Sequence, residues 1–72
     1  MTSTPARLLS VSSSSILGTH ATGTIRGWVD GNGEITVVRT AGMNATEKLR
    51  VAFTLMHLVE KEGLNPKGVA FY

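Results

Sequence analysis

The stretch Asn44–Gly63, NATEKLRVAFTLMHLVEKEG, decides the fold, because it carries a start signal, a long apolar pattern and a stop signal for one α-helix. Asn44 is a residue type whose side chain accepts bonds from the free amides of a first helical turn. Glu47, three residues later, is placed to accept in return from the Asn44 amide, which makes a capping box. At the far end Gly63 supplies the left-handed conformation that ends a helix. Leu64 then falls where a Schellman motif brings an apolar side chain back onto Val59. About 18 residues of helix span roughly 27 Å.

At ~100° per residue, Leu49, Val51, Ala52, Phe53, Leu55, Met56, Leu58 and Val59 cover an arc of about 220°. A helix lying on a single sheet buries much less than this. A second surface is therefore expected over part of it: the N-terminal segment, a second copy of the chain, or a partner. The remaining stripe, Arg50, Thr54, His57 and Lys61 with Glu47 at its start, reads as the solvated side.

Upstream of the helix, Gly23–Thr40 reads as a β-hairpin, two runs rich in β-branched and aromatic residues around Gly31, Asn32 and Gly33. A one-residue slip moves every side chain to the other face, so register selects the turn. A three-residue loop with Gly33 left-handed sets Val29 opposite Ile35 and Gly27 opposite Val37, giving one apolar face. It also sets Asp30 against Glu34, a modest like-charge cost. The other face then carries Arg26, Trp28, Thr36 and Val38. An aromatic beside an arginine on a sheet suits a binding surface, and a second core layer would look the same. Downstream, Asn65 and Pro66 stop the helix and Gly68–Tyr72, GVAFY, has the residues of a last strand.

Met1–Thr22 is Ser/Thr-rich, with Pro5 and a single charge, Arg7. Its composition suits a segment that is flexible or ordered by a partner. Within it Arg7 to Val11 alternates well enough for a short strand, and Leu8, Leu9, Ile16 and Leu17 favour packing on something. The expected organisation is residues 1–22 as this segment and residues 23–72 as one α+β domain. The expected architecture is a small antiparallel sheet in the order β-β-α-β, an extra N-terminal strand left open, packed on one helix.

With 72 residues and no cysteine, disulfides, thiol catalysis and cysteine-held metals are excluded. The net charge is +2: three arginines against two acids in residues 1–42, and four basic against three acidic residues in 43–72. That is too little to mark a nucleic-acid binder by itself. No apolar run reaches the ~18 residues of a membrane span, so no membrane association is expected, and the absence of cysteine suits the cytoplasm. The first 29 residues hold no acid but only two arginines, few for a transit peptide, and are read as part of the working protein.

Catalytic and metal chemistry find no support in the pattern. His20 and His57 have no nucleophile or ligand partner at a recognisable spacing. Asp30–Glu34 alternates oxygen ligands with glycine as calcium loops do, but lacks the twelve-residue span and the distal glutamate. Gly18, Gly23 and Gly27 precede no Lys-Ser/Thr pair, and no two carboxylates share an apolar setting. A non-enzymatic protein without cofactor or metal is expected.

Taken together, MTSTPARLLSVSSSS at residues 1–15, GTIRGWVDGNGEITVV at 23–38 and the closing GVAFY give a chain that resembles the small phage-encoded transcription regulators that bind host bacterial RNA polymerase. The resemblance implies a protein that binds the polymerase near its β′ N-terminal region and β flap, inhibits initiation by displacing σ factor, and also acts in antitermination. Candidate contact residues come from the chemistry of the residues themselves: Arg7, Leu8 and Leu9 in the N-terminal segment, and Arg26, Trp28 and Arg39 on the hairpin. Removing residues 1–10 is then expected to weaken binding and spare thermal unfolding. The alternative reading is a DNA-binding module using Arg26, Trp28, Thr36 and Val38 as its sheet face, similar to plant-type and integrase-type three-stranded domains, which bring more Arg and Lys to the sheet. A monomer is expected in preference to a homodimer built on the surplus apolar helix surface.

Overall fold

A computed structural model describes residues 6–72. Its elements are β1 (Arg7–Ser12), α1 (Ser13–Leu17), β2 (Thr24–Val29), β3 (Glu34–Val38), α2 (Ala45–Lys61) and β4 (Gly68–Phe71). The strands form one four-stranded sheet in the order β1-β2-β3-β4, and α2 packs against it, an α+β fold. The first five residues of the Ser/Thr-rich segment lie outside the described residues.

The α2 boundaries follow from the residues that cap it. The Asn44 side chain accepts from the Glu47 amide at 2.8 Å, and the Glu47 carboxylate accepts from the Asn44 amide at 3.0 Å, a complete capping box. At the other end Gly63 has φ +90°, the Leu64 amide donates to the Val59 carbonyl and the Gly63 amide to the Glu60 carbonyl, the bond pair of a Schellman motif. Leu64 packs against the core that contains Val59.

The hairpin has the register that buries its apolar residues. Val29 pairs with Ile35 and Gly27 with Val37, around a loop of Gly31, Asn32 and Gly33 with Gly33 at φ +83°. The expected like-charge cost at the tip is reduced by a local turn. One Asp30 carboxylate oxygen accepts from the amides of Asn32 (2.9 Å) and Glu34 (3.0 Å), so this acid is engaged with the loop rather than aimed at its neighbour. Gly27 is fixed by space, since a Cβ there would lie 2.1 Å from the Thr36 carbonyl oxygen.

The core joins Ile25, Val29, Ile35 and Val37 of the sheet to Val51, Leu55 and Val59 of α2. The three helix residues stand four apart, on one stripe, and each is 1% exposed or less. Burying a side chain of this size contributes about 1.5–3 kcal/mol. The wide apolar arc of α2 is partly covered from within the chain, because Ile16 and Leu17 of α1 pack on the same core. Leu49 and Phe53 remain 57% and 65% exposed.

The sheet is mixed, which corrects the antiparallel arrangement expected. β1, β2 and β3 run antiparallel in turn, but β4 is parallel to β3, with Glu34 beside Gly68 and Val37 beside Phe71. The cause is the crossover. After β3 the chain returns through α2 to the hairpin-tip end of the sheet, where the Lys67 amide donates to the Gly33 carbonyl, so β4 starts where β3 starts.

β1 realises the strand reading of Arg7 to Val11, pairing along its whole length with β2 from Arg7–Val29 to Ser12–Thr24. The short α1 follows directly, and the Ser13 amide donates to the Gly23 carbonyl at 3.1 Å.

Candidate binding face

Helix α2 covers one side of the sheet, and among the described residues no element covers the other. Strand alternation sorts the side chains. Ile25, Gly27 and Val29, with Ile35 and Val37, look toward α2. Thr24, Arg26 and Trp28, with Glu34, Thr36 and Val38, look away. The register then lines up Leu8, Trp28, Thr36 and Ala70 as one row across four strands, with Ser10, Arg26 and Val38 as the next. Tyr72 follows Ala70 on the same side by alternation.

This open face is apolar at its centre and basic at one end. Leu8 is 69%, Trp28 38% and Tyr72 73% exposed, an unusual concentration of large side chains in water. Trp28, Thr36, Val38 and Tyr72 line a shallow hollow of about 380 Å³. Val38 also belongs to the adjoining hollow, whose other walls are Thr24, Arg26 and Arg39. An aromatic shelf therefore abuts a site with two guanidinium groups.

Two features fix this geometry. Tyr72 is anchored through its backbone: its amide donates to the Val37 carbonyl at 2.8 Å, and its carbonyl accepts from the amide (2.9 Å) and hydroxyl (3.0 Å) of the buried Thr40. Arg39, between β3 and Thr40, has φ +59°, the one positive value at a non-glycine residue among those described. Such backbone is unfavourable for an L residue and concentrates at functional positions.

The six residues singled out from sequence do not share one surface. Leu8, Arg26 and Trp28 lie together on the open face, and Arg39 stands at its basic end. Arg7 and Leu9 alternate to the helix side. Leu9 is half-buried against the core, and the Arg7 guanidinium pairs with the Glu62 carboxylate at 2.5 Å. That pair is about half exposed on both partners, so it contributes less than about 1 kcal/mol. Removing residues 1–10 would delete most of β1 and the Leu9 contact, so unfolding would not be spared.

Tyr72 was missed, although GVAFY showed the alternation. Its assignment to this face needed the β3–β4 register, which is not a local property. A second exposed patch lies on the outward side of α2, where Phe53, Thr54, His57 and Leu58 border a shallow depression.

Elsewhere His20 and His57 are exposed. Among the described residues no three of the His, Cys, Asp and Glu side chains come together, and no helix is long and apolar enough to cross a membrane. Comparison of the chain with protein-family models, with curated proteins and with solved structures returns no match.

Proposed function

We propose that this chain is a non-enzymatic regulator that acts by binding a protein partner through the open face of its sheet, and that the partner is host bacterial RNA polymerase. The observation behind the binding surface is the uncovered row of Leu8 and Trp28, with Tyr72 and the Arg26/Arg39 hollow beside it. Buried aromatic and arginine anchors contribute most to protein interfaces. A standard interface takes about 800 Å² from each partner, roughly one sixth of the 5055 Å² surface of this chain. One sheet face is an adequate size.

The choice of partner rests on the sequence resemblance. On this reading the chain acts in the cytoplasm of the host bacterial cell, occupies the region of the β′ N-terminal segment and β flap, and inhibits initiation because σ factor loses that surface. The same bound position would serve antitermination. No bond is made or broken in this mechanism; occupation is the whole effect.

The test is an equilibrium titration of the labelled chain with purified bacterial core polymerase, with and without σ factor. Saturable binding that σ factor competes away supports the proposal, and no binding at micromolar polymerase refutes it. A second reading, a DNA-binding sheet face, is favoured by one observation, the two arginines sharing a hollow. Duplex DNA titrated at several salt concentrations separates the two. Binding whose affinity falls steeply with log salt marks phosphate contacts and supports the DNA reading.

A further inference from the structure

The sheet ends on two edges that differ in kind. β1 carries Arg7 in an ion pair with Glu62 and runs directly into α1, so charge and chain guard it. β4 itself contains no charge and no proline, Lys48 of α2 reaches over the Phe71 ring on the helix side with its Nζ 5.9 Å from the ring centroid, and among the described residues nothing pairs with the outer backbone groups of the strand. Proteins usually blunt such an edge with lysine, proline or a bulge.

The register shows which peptide groups this edge presents. Ile35 stands beside Val69 and Val37 beside Phe71, and the Tyr72 amide donates to the Val37 carbonyl. By strand alternation the peptide groups of Gly68, Ala70 and Tyr72 turn toward β3, and those of Val69 and Phe71 turn outward.

We propose that β4 is a dimerisation edge, at which two copies of this chain pair through antiparallel β4 strands about a twofold axis at Ala70. Val69 then stands opposite the partner's Phe71, and their outward amides and carbonyls exchange hydrogen bonds. Ala70 meets the partner's Ala70 as a non-hydrogen-bonded pair, in which Cα atoms approach to about 4.5 Å. A methyl side chain fits that approach. On the helix side the half-buried Val69 and Phe71 make an apolar cross-strand pair. On the open side Tyr72, 73% exposed, comes to lie over the partner's Gly68, which has no side chain in its way.

This self-complementarity is what selects a second copy over a foreign strand. An isologous interface requires each residue to suit the one it meets across the axis. Here the pairs are large on glycine, apolar on apolar and small on small. A slip by one residue would ask for peptide groups already committed to β3. The proposal stands apart from the polymerase reading, and it departs from the monomer that the sequence pattern favours. Its consequence is a sheet continuous through both copies, with two open faces side by side.

A crosslink reads this directly, because the chain has no cysteine of its own. Under mild oxidation Ala70→Cys is expected to become a disulfide-linked dimer at least about tenfold faster than Ser10→Cys on the exposed side of β1, since Cα atoms ~4.5–6 Å apart suit a disulfide. The unmodified chain is expected to rise in weight-average mass from monomer toward dimer between about 10 µM and about 1 mM in sedimentation equilibrium. Ala70→Lys and Ala70→Glu should each stay monomeric, and their equimolar mixture should dimerise again. If Ala70→Cys crosslinks no faster than Ser10→Cys, the proposal is overturned. A wild-type chain that stays monomeric over the whole range overturns it as well, and leaves the edge to a strand of another protein.

Discussion

Replacing Arg39 by glycine should make this protein more stable and a poorer binder at once. Arg39 is held at φ +59°, a region that costs an L residue about 1 kcal/mol or slightly more. Glycine has no such penalty, but its greater freedom in the unfolded chain takes back about 0.5 kcal/mol. The Arg39 side chain is exposed at the rim of the Thr24–Arg26–Val38 hollow, so little packing is lost. The net gain is about 0.5 kcal/mol, which for a domain of this size raises Tm by about 2–4 °C. Loss of an interfacial arginine, by contrast, should weaken partner binding by about tenfold. Circular dichroism melts and a polymerase titration on the same sample measure the two effects. A lowered Tm would mean that the Arg39 side chain holds the fold together. A raised Tm with unchanged affinity would remove Arg39 from the contact surface.

Three further substitutions test the scaffold. Asn44→Ala removes the side-chain oxygen that accepts from the Glu47 amide, while the bond from the residue-44 amide to the Glu47 carboxylate can still form; it should cost about 1 kcal/mol, visible as a Tm lower by about 4–8 °C with far-UV helicity reduced at the start of α2. Leu55→Ala opens a cavity at a residue 1% exposed; the expected loss of about 2–5 kcal/mol matches the whole stability of a core this small, so the variant should lack a cooperative melt. Gly33→Ala meets two obstacles, the φ of +83° and an Asn65 carbonyl oxygen 2.1 Å from the added Cβ. Its urea midpoint should fall by the equivalent of about 1–3 kcal/mol, and an unchanged midpoint would show that the hairpin tip does not abut the loop before β4.

The parts of the fold that were legible in the sequence are those whose causes are local. Asn44, Glu47 and Gly63 announce the ends of α2 because each acts within one turn of itself. The hairpin register was readable because only one loop length gathers Gly27, Val29, Ile35 and Val37 on one face. The direction of β4 was not readable. GVAFY is the same strand either way, and its orientation depends on where α2 returns the chain. The candidate site divides along the same line. Arg26 and Trp28 could be assigned to a common face from the hairpin alone, whereas the placement of Leu8 beside Trp28, and of Tyr72 beside both, required two long-range pairings. Arg7 and Leu9 alternate with Leu8, so any reading that groups the three overlooks that a strand sends neighbours to opposite sides. No residue in VVRTAG signals that Arg39 adopts a left-handed backbone.

Among the described residues two apolar surfaces are exposed, the open sheet face and the outward side of α2, and the proposed function depends on the first. The most direct test is the affinity of purified bacterial core polymerase for two single variants, Trp28→Ala and Phe53→Ala, each checked for an intact melt. Trp28→Ala should bind at least about tenfold more weakly than the wild type, and Phe53→Ala should bind like it. Equal losses, or a loss confined to Phe53→Ala, would contradict the account.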